Sequence, residues 1–586
     1  MELQDSELYE FDSFHIDVIK RRLLRNDRPV KLGTKDFDIL LLLVMSMGRI
    51  VTKEELISQI WPDQFVEENN LTVRISALRK SLGESRTKPK YIQTVQGRGY
   101  RFVARVRAVE ARRAVRDAPQ GPDVQMAASS IAVLPFSILG EHSLEEFLGQ
   151  GIADAIITKL GKIRRVRVPP TTAVLRYSGS EIDIQEIGEK LEVDSILTGQ
   201  IQKMAERIRV TVQLTTTKRW QVLWAKKFDE SFTNIFAVED RISELVANAL
   251  VDDLSAAEHE GLTKRYTESA EAYRYYLEGR YFWNKRTESG LQRSIKCFER
   301  AAELDPDYAL AYTGIALCSN MLYSYGILPP AQCIPRIKEA AGRALEIDDT
   351  IGEAYASLGH IYLMHEWDFP RAEEYLRRAT ELSPNNPTTH HWYALYFRIM
   401  GRLDDSFAEL NRAHNLDPLS LIIKTSIAGN HYYARQYDLA LAKCREVFDL
   451  DPNFYIVYGV WSLCYAFKGM YREAIATIRK AIAIENDIDA LGTLEYICSL
   501  AGDRAESGRQ LERLKGLSES RHVWPFHLAV IYAGMGDFEQ AFTFLERALE
   551  ERNQNMLLVK VDPRLDCLRS EPRFADTLQR IGFDNK

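Results

Sequence analysis

Helix-ending signatures recur at Ser383-Pro384, Asp417-Pro418, Asp451-Pro452 and, in degenerate form, Glu485-Asn486; each step between them is 34 residues. This period constrains the fold more than any other feature. A unit of that length holds a helical hairpin whose apolar face stays exposed unless neighbouring hairpins stack on it. The chain from 268 to 586 is therefore predicted as an all-α solenoid. Side-chain size repeats with the period. One unit carries Tyr458, Trp461, Tyr465, Gly469, Ala474, Ile478 and Ala481, and the last carries Ala529, Tyr532, Gly536, Ala541, Leu545 and Ala548. Small residues let the two helices of a unit approach, and aromatics fill the gaps between units. An earlier marker, Asp305-Pro306, is offset by an insertion around SYGILPPAQC, giving about seven repeats in all.

The remaining residues need further cores, since 586 residues exceed what one core holds. The net charge of -7 is unevenly spread: residues 20–105 carry 18 Lys/Arg against 9 Asp/Glu. A basic head on an acidic body directs a polyanion to one end. The seven cysteines, Cys297, Cys318, Cys333, Cys444, Cys464, Cys498 and Cys567, are odd in number and lack zinc or disulfide spacing, which suits buried thiols in a reducing compartment. The N-terminus MELQDSELYEF has no hydrophobic signal core. The strongest apolar run, Ile39 to Val44, falls far short of the roughly 20 residues of a membrane span. These features predict a cytoplasmic protein without membrane contact.

Within the head, residues 68–102 are the most telling. Leu71, Ile75, Leu78 and Leu82 share one face of an amphipathic helix. Asn69, Asn70, Val73, Arg74, Ala77 and Lys80 project elsewhere, available to base edges. YIQTVQGRGYRF then alternates apolar and polar and turns at Gly97-Arg98-Gly99, as a hairpin does. From Thr72 to Arg107 there are ten Lys/Arg and one acid, Glu84. A helix followed by a basic hairpin suits a DNA duplex: the helix fits the major groove, and arginines reach phosphates or the minor groove. Upstream, short alternating segments (LYEF, FHIDV, RRLL, PVKL) precede a helix from about Thr34 to Met47, and Thr52 caps a second, with Glu55 in the capping-box position.

The run LGTKDFDILLLLVMSMGRIVTKEELISQIWP, the ISALRKSLG helix and YIQTVQGRGYRF together resemble the OmpR/PhoB-type winged-helix DNA-binding domain, as found in response regulators and in ToxR/CadC-like regulators. The resemblance covers about 95 residues and implies that residues 1–105 form a winged helix-turn-helix domain of α+β class. It implies double-stranded promoter DNA as partner, with RNA polymerase and a second copy of the chain on DNA as further partners. Arg79 and Lys80 match the family's Arg-Lys pair, Thr94 the wing threonine, and Gly97, Gly99, Tyr100 and Arg101 the wing tip. Two positions depart from the pattern. Ala77 stands where relatives often carry a base-facing arginine, leaving Arg74 to read bases; Gln96 stands where many carry arginine before the wing glycine, leaving Arg98 for the minor groove.

Residues 106–128, Arg/Ala-rich and then Pro-Gln-Gly-Pro, read as a linker. Residues 129–255 follow as an α+β unit: SIAVLPF as a buried strand, helices over 144–160 and 182–191, VRVPP as a short strand, three strands from SILTGQIQ to LWAKKFD, and a closing helix over 235–250. SIAVLPF, FLGQGIADAIITKL, VDSILTGQIQ and LWAKKFDES resemble the TolB amino-terminal-like domain, which implies no catalytic residues. The 34-residue array resembles tetratricopeptide repeats, which implies a protein or peptide partner on the concave face.

Competing readings are weaker. Asp36 and Asp38 open a helix, where carboxylates favour the positive dipole end, so they read as caps rather than phosphoacceptors. Gly97-Arg98-Gly99 lacks the third glycine and following helix of a nucleotide loop. His390 and His391 point about 100° apart on a helix and have no ligand-spaced neighbours, so no metal is expected. No nucleophile constellation, catalytic residue or cofactor site stands out. TolB-like and tetratricopeptide segments also follow nucleotide-cyclase domains, but no cyclase-sized stretch is left unassigned. The expectation is a one-component, non-enzymatic, sequence-specific transcriptional regulator. The rival is a protein-interaction scaffold that binds DNA non-specifically.

Overall fold

The computed structural model describes residues 8–583 apart from 13, 18–21, 26–27, 31, 33, 47, 61–67, 85–88, 96, 105, 110–129, 140–145, 179–182, 205–206, 219–220, 232–234, 252–253, 486–487 and 503–524. The chain divides into two compact units, a head and a body.

The head opens with β1 (Leu8–Phe11), β2 (Phe14–Asp17), β3 (Arg22–Arg25) and β4 (Arg28–Val30), an antiparallel meander. Three helices follow, α1 (Thr34–Met45), α2 (Lys53–Ile60) and α3 (Glu68–Leu82), with the short strand β5 (Val51–Thr52) before α2. The Thr52 hydroxyl accepts from the Glu55 amide at 3.1 Å, capping α2 as the sequence indicates. The Glu55 carboxylate turns instead to Arg49, whose hydrogen bond holds it below the usual carboxylate range. The wing, β6 (Ile92–Val95) and β7 (Gly99–Phe102), forms a three-stranded sheet with β5 in the order β5-β7-β6. The expected linker differs at its start. Arg107–Val109 forms β8, which pairs antiparallel with β1 and extends the first sheet to five strands; residues 110–128 lie outside the described residues. Phe11, Phe14, Tyr91 and Phe102 pack together in the head core, some stacked and some edge-on, with ring centroids 5.0–6.4 Å apart.

In the body, SIAVLPF is split. β9 (Ile131–Val133) is wholly buried, the chain leaves the sheet around Pro135, and β10 (Ser137–Leu139) resumes; both lie parallel to β11 (Ser195–Met204). Proline has no amide hydrogen for a ladder, which accounts for the break. Then come α4 (Glu146–Leu160), α5 (Thr171–Val174) and α6 (Ile184–Leu191), the last capped by Asp183. The expected strand VRVPP contributes only a bridge between Arg167 and Ser130, because its consecutive prolines cannot donate. β12 (Arg207–Thr216) and β13 (Val222–Ser231) complete the sheet, and α7 (Ile235–Leu250) and α8 (Ala256–Thr263) follow.

The repeats stack as antiparallel helix pairs: α9 (Ala270–Asn284) with α10 (Glu288–Leu304), α11 (Ala309–Ser324) with α12 (Pro330–Ile347), and α13 (Gly352–Ile361) with α14 (Phe369–Leu382). The next three pairs are α15 (Pro387–Ile399) and α16 (Leu403–Leu416), α17 (Leu421–Tyr433) and α18 (Tyr437–Leu450), and α19 (Val457–Phe467) and α20 (Tyr471–Ile484). α21 (Ile488–Leu500) precedes the final pair, α22 (Pro525–Met535) and α23 (Phe538–Glu550). The period works through shape. Gly279 and Gly314 both face the Phe298 ring so closely that a Cβ on either would overlap it.

Two features of the body were not legible in the period. First, the middle domain and the array share one continuous core. Arg280 on α9 makes a bidentate pair with Asp154 on α4, at 2.7 and 3.1 Å, with both side chains nearly buried. Asn385 donates to the Gly161 and Ile163 carbonyls, and Arg167 to that of Asn415. Second, the residues after α23, ending in α24 (Pro572–Ile581), fold back across the first helices of several repeats. Gln554 bonds Tyr323, Tyr432 donates to Asp562, Arg435 pairs with Asp566, and Phe583 stacks on Phe369. A part of the surface expected to receive a peptide is thus covered by the chain itself. His390 and His391 are also occupied internally: His390 bonds Glu409 and the Pro384 carbonyl, and His391 bonds Ser426. No helix of the described residues is long and apolar enough to cross a membrane.

Candidate nucleic-acid interface

α3 buries Leu71, Ile75, Leu78 and Leu82, each at most 1 % exposed, against the head core. This seating fixes what points out. Asn70, Val73, Ala77 and Lys80, spaced three, four and three residues apart, form an exposed stripe on the other side of the helix. Val73, 66 % exposed, is the apolar member of this stripe. Asn69 also lies on α3, but its side chain is outside the described residues. Arg74 stands at the flank of the stripe and leans toward Asp36 at 3.5 Å. A half-exposed pair this long is worth at most about 1 kcal/mol, so a base or phosphate could take the guanidinium over. Asp36, expected as a helix cap, thus also restrains the arginine expected to read bases.

Two expected DNA contacts, Arg79 and Tyr100, are corrected. Arg79 is only 6 % exposed. It donates to the Ile92 carbonyl at 2.7 Å and to the Thr94 hydroxyl at 2.9 Å, and it faces Glu84 at 3.7 Å. It locks the recognition helix to the wing rather than reaching phosphate. Thr94 is exposed; its hydroxyl accepts from Arg79 and keeps its own proton to donate outward. Tyr100 is 4 % exposed and lies in the head core beside Phe102, because residues two apart on a strand share a face.

Glu84, the one acid in this basic stretch, organises the corner. The Glu84 carboxylate accepts from the backbone amides of Lys90, Tyr91 and Ile92, at 2.6, 2.5 and 3.0 Å, and lies beside the Arg79 guanidinium. One side chain therefore sets the start of the wing and neutralises the buried arginine. A lone acid amid ten cations is a signal that could have found it.

The wing turn is closed by the Arg98 amide donating to the Val95 carbonyl at 3.0 Å, which leaves the Arg98 side chain exposed at the tip. Gly99 must be glycine: it has φ +151°, and a Cβ there would overlap the Val51 carbonyl. Arg101 is half-buried and held by Gln93, with hydrogen bonds of 3.2 and 2.6 Å, presenting its charge beside the wing. Gln96 lies outside the described residues. Helix stripe and wing tip thus offer an apolar contact, amide and ammonium donors, and an exposed guanidinium. If Arg98 enters a groove, Arg98→Ala should weaken binding to a preferred duplex by about 1–3 kcal/mol. Fluorescence anisotropy would read this, and an unchanged affinity would move the groove contact elsewhere.

The sequence matches three family models: "Transcriptional regulatory protein, C terminal" over residues 27–102, "HilA/YgeH-like transcriptional regulator, second domain" over 127–245, and "Tetratricopeptide repeat" over 352–386, 457–488 and 526–555. The middle match goes to the HilA/YgeH type, where the sequence reading expected a TolB-like domain. Among similar proteins, the transcriptional regulator HilA of Salmonella typhi is 26% identical over 418 residues, 70% of each chain. A putative adenylate cyclase 3 of Rhizobium meliloti is 29% identical over 238 residues, 40% of each chain. The cholera toxin transcriptional activator of Vibrio cholerae is 31% identical over 126 residues, 21% of this chain and 42% of that one. One chain thus carries matches to the C-terminal domain of transcriptional regulatory proteins, to the second domain of HilA/YgeH-like regulators and to tetratricopeptide repeats, and along most of its length it is similar to the transcriptional regulator HilA.

Proposed function

We propose that this protein is a transcriptional regulator that reads promoter DNA sequence-specifically, with the α3 stripe in the major groove and Arg98 in the adjacent minor groove. The observation that carries the reading is the exposed row Asn70, Val73, Ala77 and Lys80 on a helix whose other side is wholly committed to the core. Val73 and the Ala77 methyl suit thymine methyl groups, Asn70 suits an adenine edge, and Lys80 suits guanine or phosphate. The protein acts as a one-component, cytoplasmic factor with no catalytic activity or cofactor of its own, and RNA polymerase is its downstream partner. Protein or peptide input enters through the repeat surfaces that the C-terminal segment leaves open.

One observation favours the rival scaffold reading: with Arg79 and Tyr100 turned inward, fewer side chains remain to read bases. Selection from random duplexes by the full chain separates the two. A recovered motif supports the regulator. Uniform, salt-sensitive binding supports the scaffold.

A further inference from the structure

β13 is the outer strand of the body's sheet: among the described residues it pairs with β12 alone, from Val222 to Ser231. Its residues from Val222 to Glu230 are exposed or half-buried throughout, with Val222 48% and Leu223 40% exposed. A ten-residue strand with an open edge is a template for another strand. Edges of this kind are commonly blunted by proline, by bulges or by charges that repel a second copy. β13 carries charges in a different arrangement. Lys226-Lys227-Phe228-Asp229-Glu230 is its own complement when read backwards.

In a two-fold antiparallel pairing that continues the sheet, facing residues must point to the same side, so a central residue must face itself. Centring on Lys226 or Lys227 sets lysine against lysine, and centring on Asp229 sets aspartate against aspartate. Centring on Phe228 does neither. It places Lys226 opposite Glu230 of the second copy and Lys227 opposite Asp229 of the second copy, twice over by symmetry, with the two phenylalanines facing. The pairs are also sorted by side. Phe228 and Lys226 lie beside Val210 and Val212 of β12, on its buried face, whereas Asp229 lies beside Arg209 and accepts its Nε at 2.6 Å. Lys227 of a second copy would therefore give Asp229 a second cation on its open side, making a Lys-Asp-Arg row across the joined sheets. Opposite-charge cross-strand pairs and facing aromatics are the unit of sheet stabilisation, and like charges in the same places oppose it.

We propose that the chain forms a two-fold homodimer by antiparallel pairing of β13 with β13 of a second copy, centred on Phe228. The facing segment runs from Ala225 to Ser231. One strand pair covers less than the ~1,200 Å² of a stable complex, so the dimer is weak in solution and gains when two heads occupy one duplex. It sharpens the expected homodimer on DNA by naming its surface, and it uses none of the head's DNA chemistry.

Sedimentation velocity of the full chain without DNA tests it, and failure there would leave the DNA reading standing. The wild type should pass from monomer to dimer across micromolar concentrations. Lys226→Glu/Lys227→Glu and Asp229→Lys/Glu230→Lys should each stay monomeric, because every facing pair becomes like-charged. An equimolar mixture of the two should recover the dimer, because every facing pair is then opposite again. A wild type that stays monomeric, a dimer that persists in both variants, or a mixture that fails to pair would each overturn the proposal. If a double variant loses its cooperative melt, the single variants Lys227→Glu and Asp229→Lys carry the same test.

Discussion

Glu84→Ala is expected to destabilise the head by about 3–5 kcal/mol, the cost of leaving a buried charge without its partner. The side chain is 1 % exposed, three backbone amides donate to it, and the Arg79 guanidinium opposite is 8 % exposed. Alanine would leave three donors without their acceptor and a cation without compensation. Native-state hydrogen exchange on the full chain reads the effect locally: the Tyr91 and Ile92 amides should lose about two to three orders of magnitude of protection. DNA binding should fall on all sequences alike, since the wing loses its anchor. The double variant Arg79→Met/Glu84→Gln, which removes both charges, should cost less than Glu84→Ala. If protection in Glu84→Ala matched wild type, the link between helix and wing would lie elsewhere.

Arg280→Ala is expected to weaken the body by a similar amount, about 3–5 kcal/mol, and to act across a domain boundary. Asp154 is 3 % exposed and would remain buried without its bidentate partner, with Thr171 alone still donating to it. Because the middle domain and the array share a core, their melting should shift together as one calorimetric transition rather than separate. Two transitions in the wild type would contradict the shared core. The same core means that deleting residues 268–586 would strip the middle domain of its packing, so signal coupling must be tested on the intact chain.

The solenoid was legible because its period is a packing requirement: a hairpin of 34 residues cannot bury itself, and the spacing of Ser383, Asp417 and Asp451 records that need. The α3 core face was legible for the same reason, since Leu71, Ile75, Leu78 and Leu82 follow the helical turn. Charged side chains were harder. Arg79 and Lys80 are adjacent and alike in sequence, yet one step around the helix separates the carbonyl of Ile92 from solvent. Tyr100 was readable in principle, since strand alternation puts it with Phe102 and not with Arg101. The β8 strand and the folded-back C-terminal segment have no period to announce them; both are held by distant partners, β1 in one instance and Tyr323, Tyr432 and Phe369 in the other.

If the proposed reading holds, the exposed α3 stripe and the wing tip distinguish one DNA sequence from another. The most direct measurement is the affinity of the full chain for its best selected duplex and for a scrambled duplex of equal length, over a range of salt. The expected ratio is at least about 10³ in favour of the selected duplex, and it persists as salt weakens both. A ratio near one, with both affinities falling together as salt rises, would contradict it.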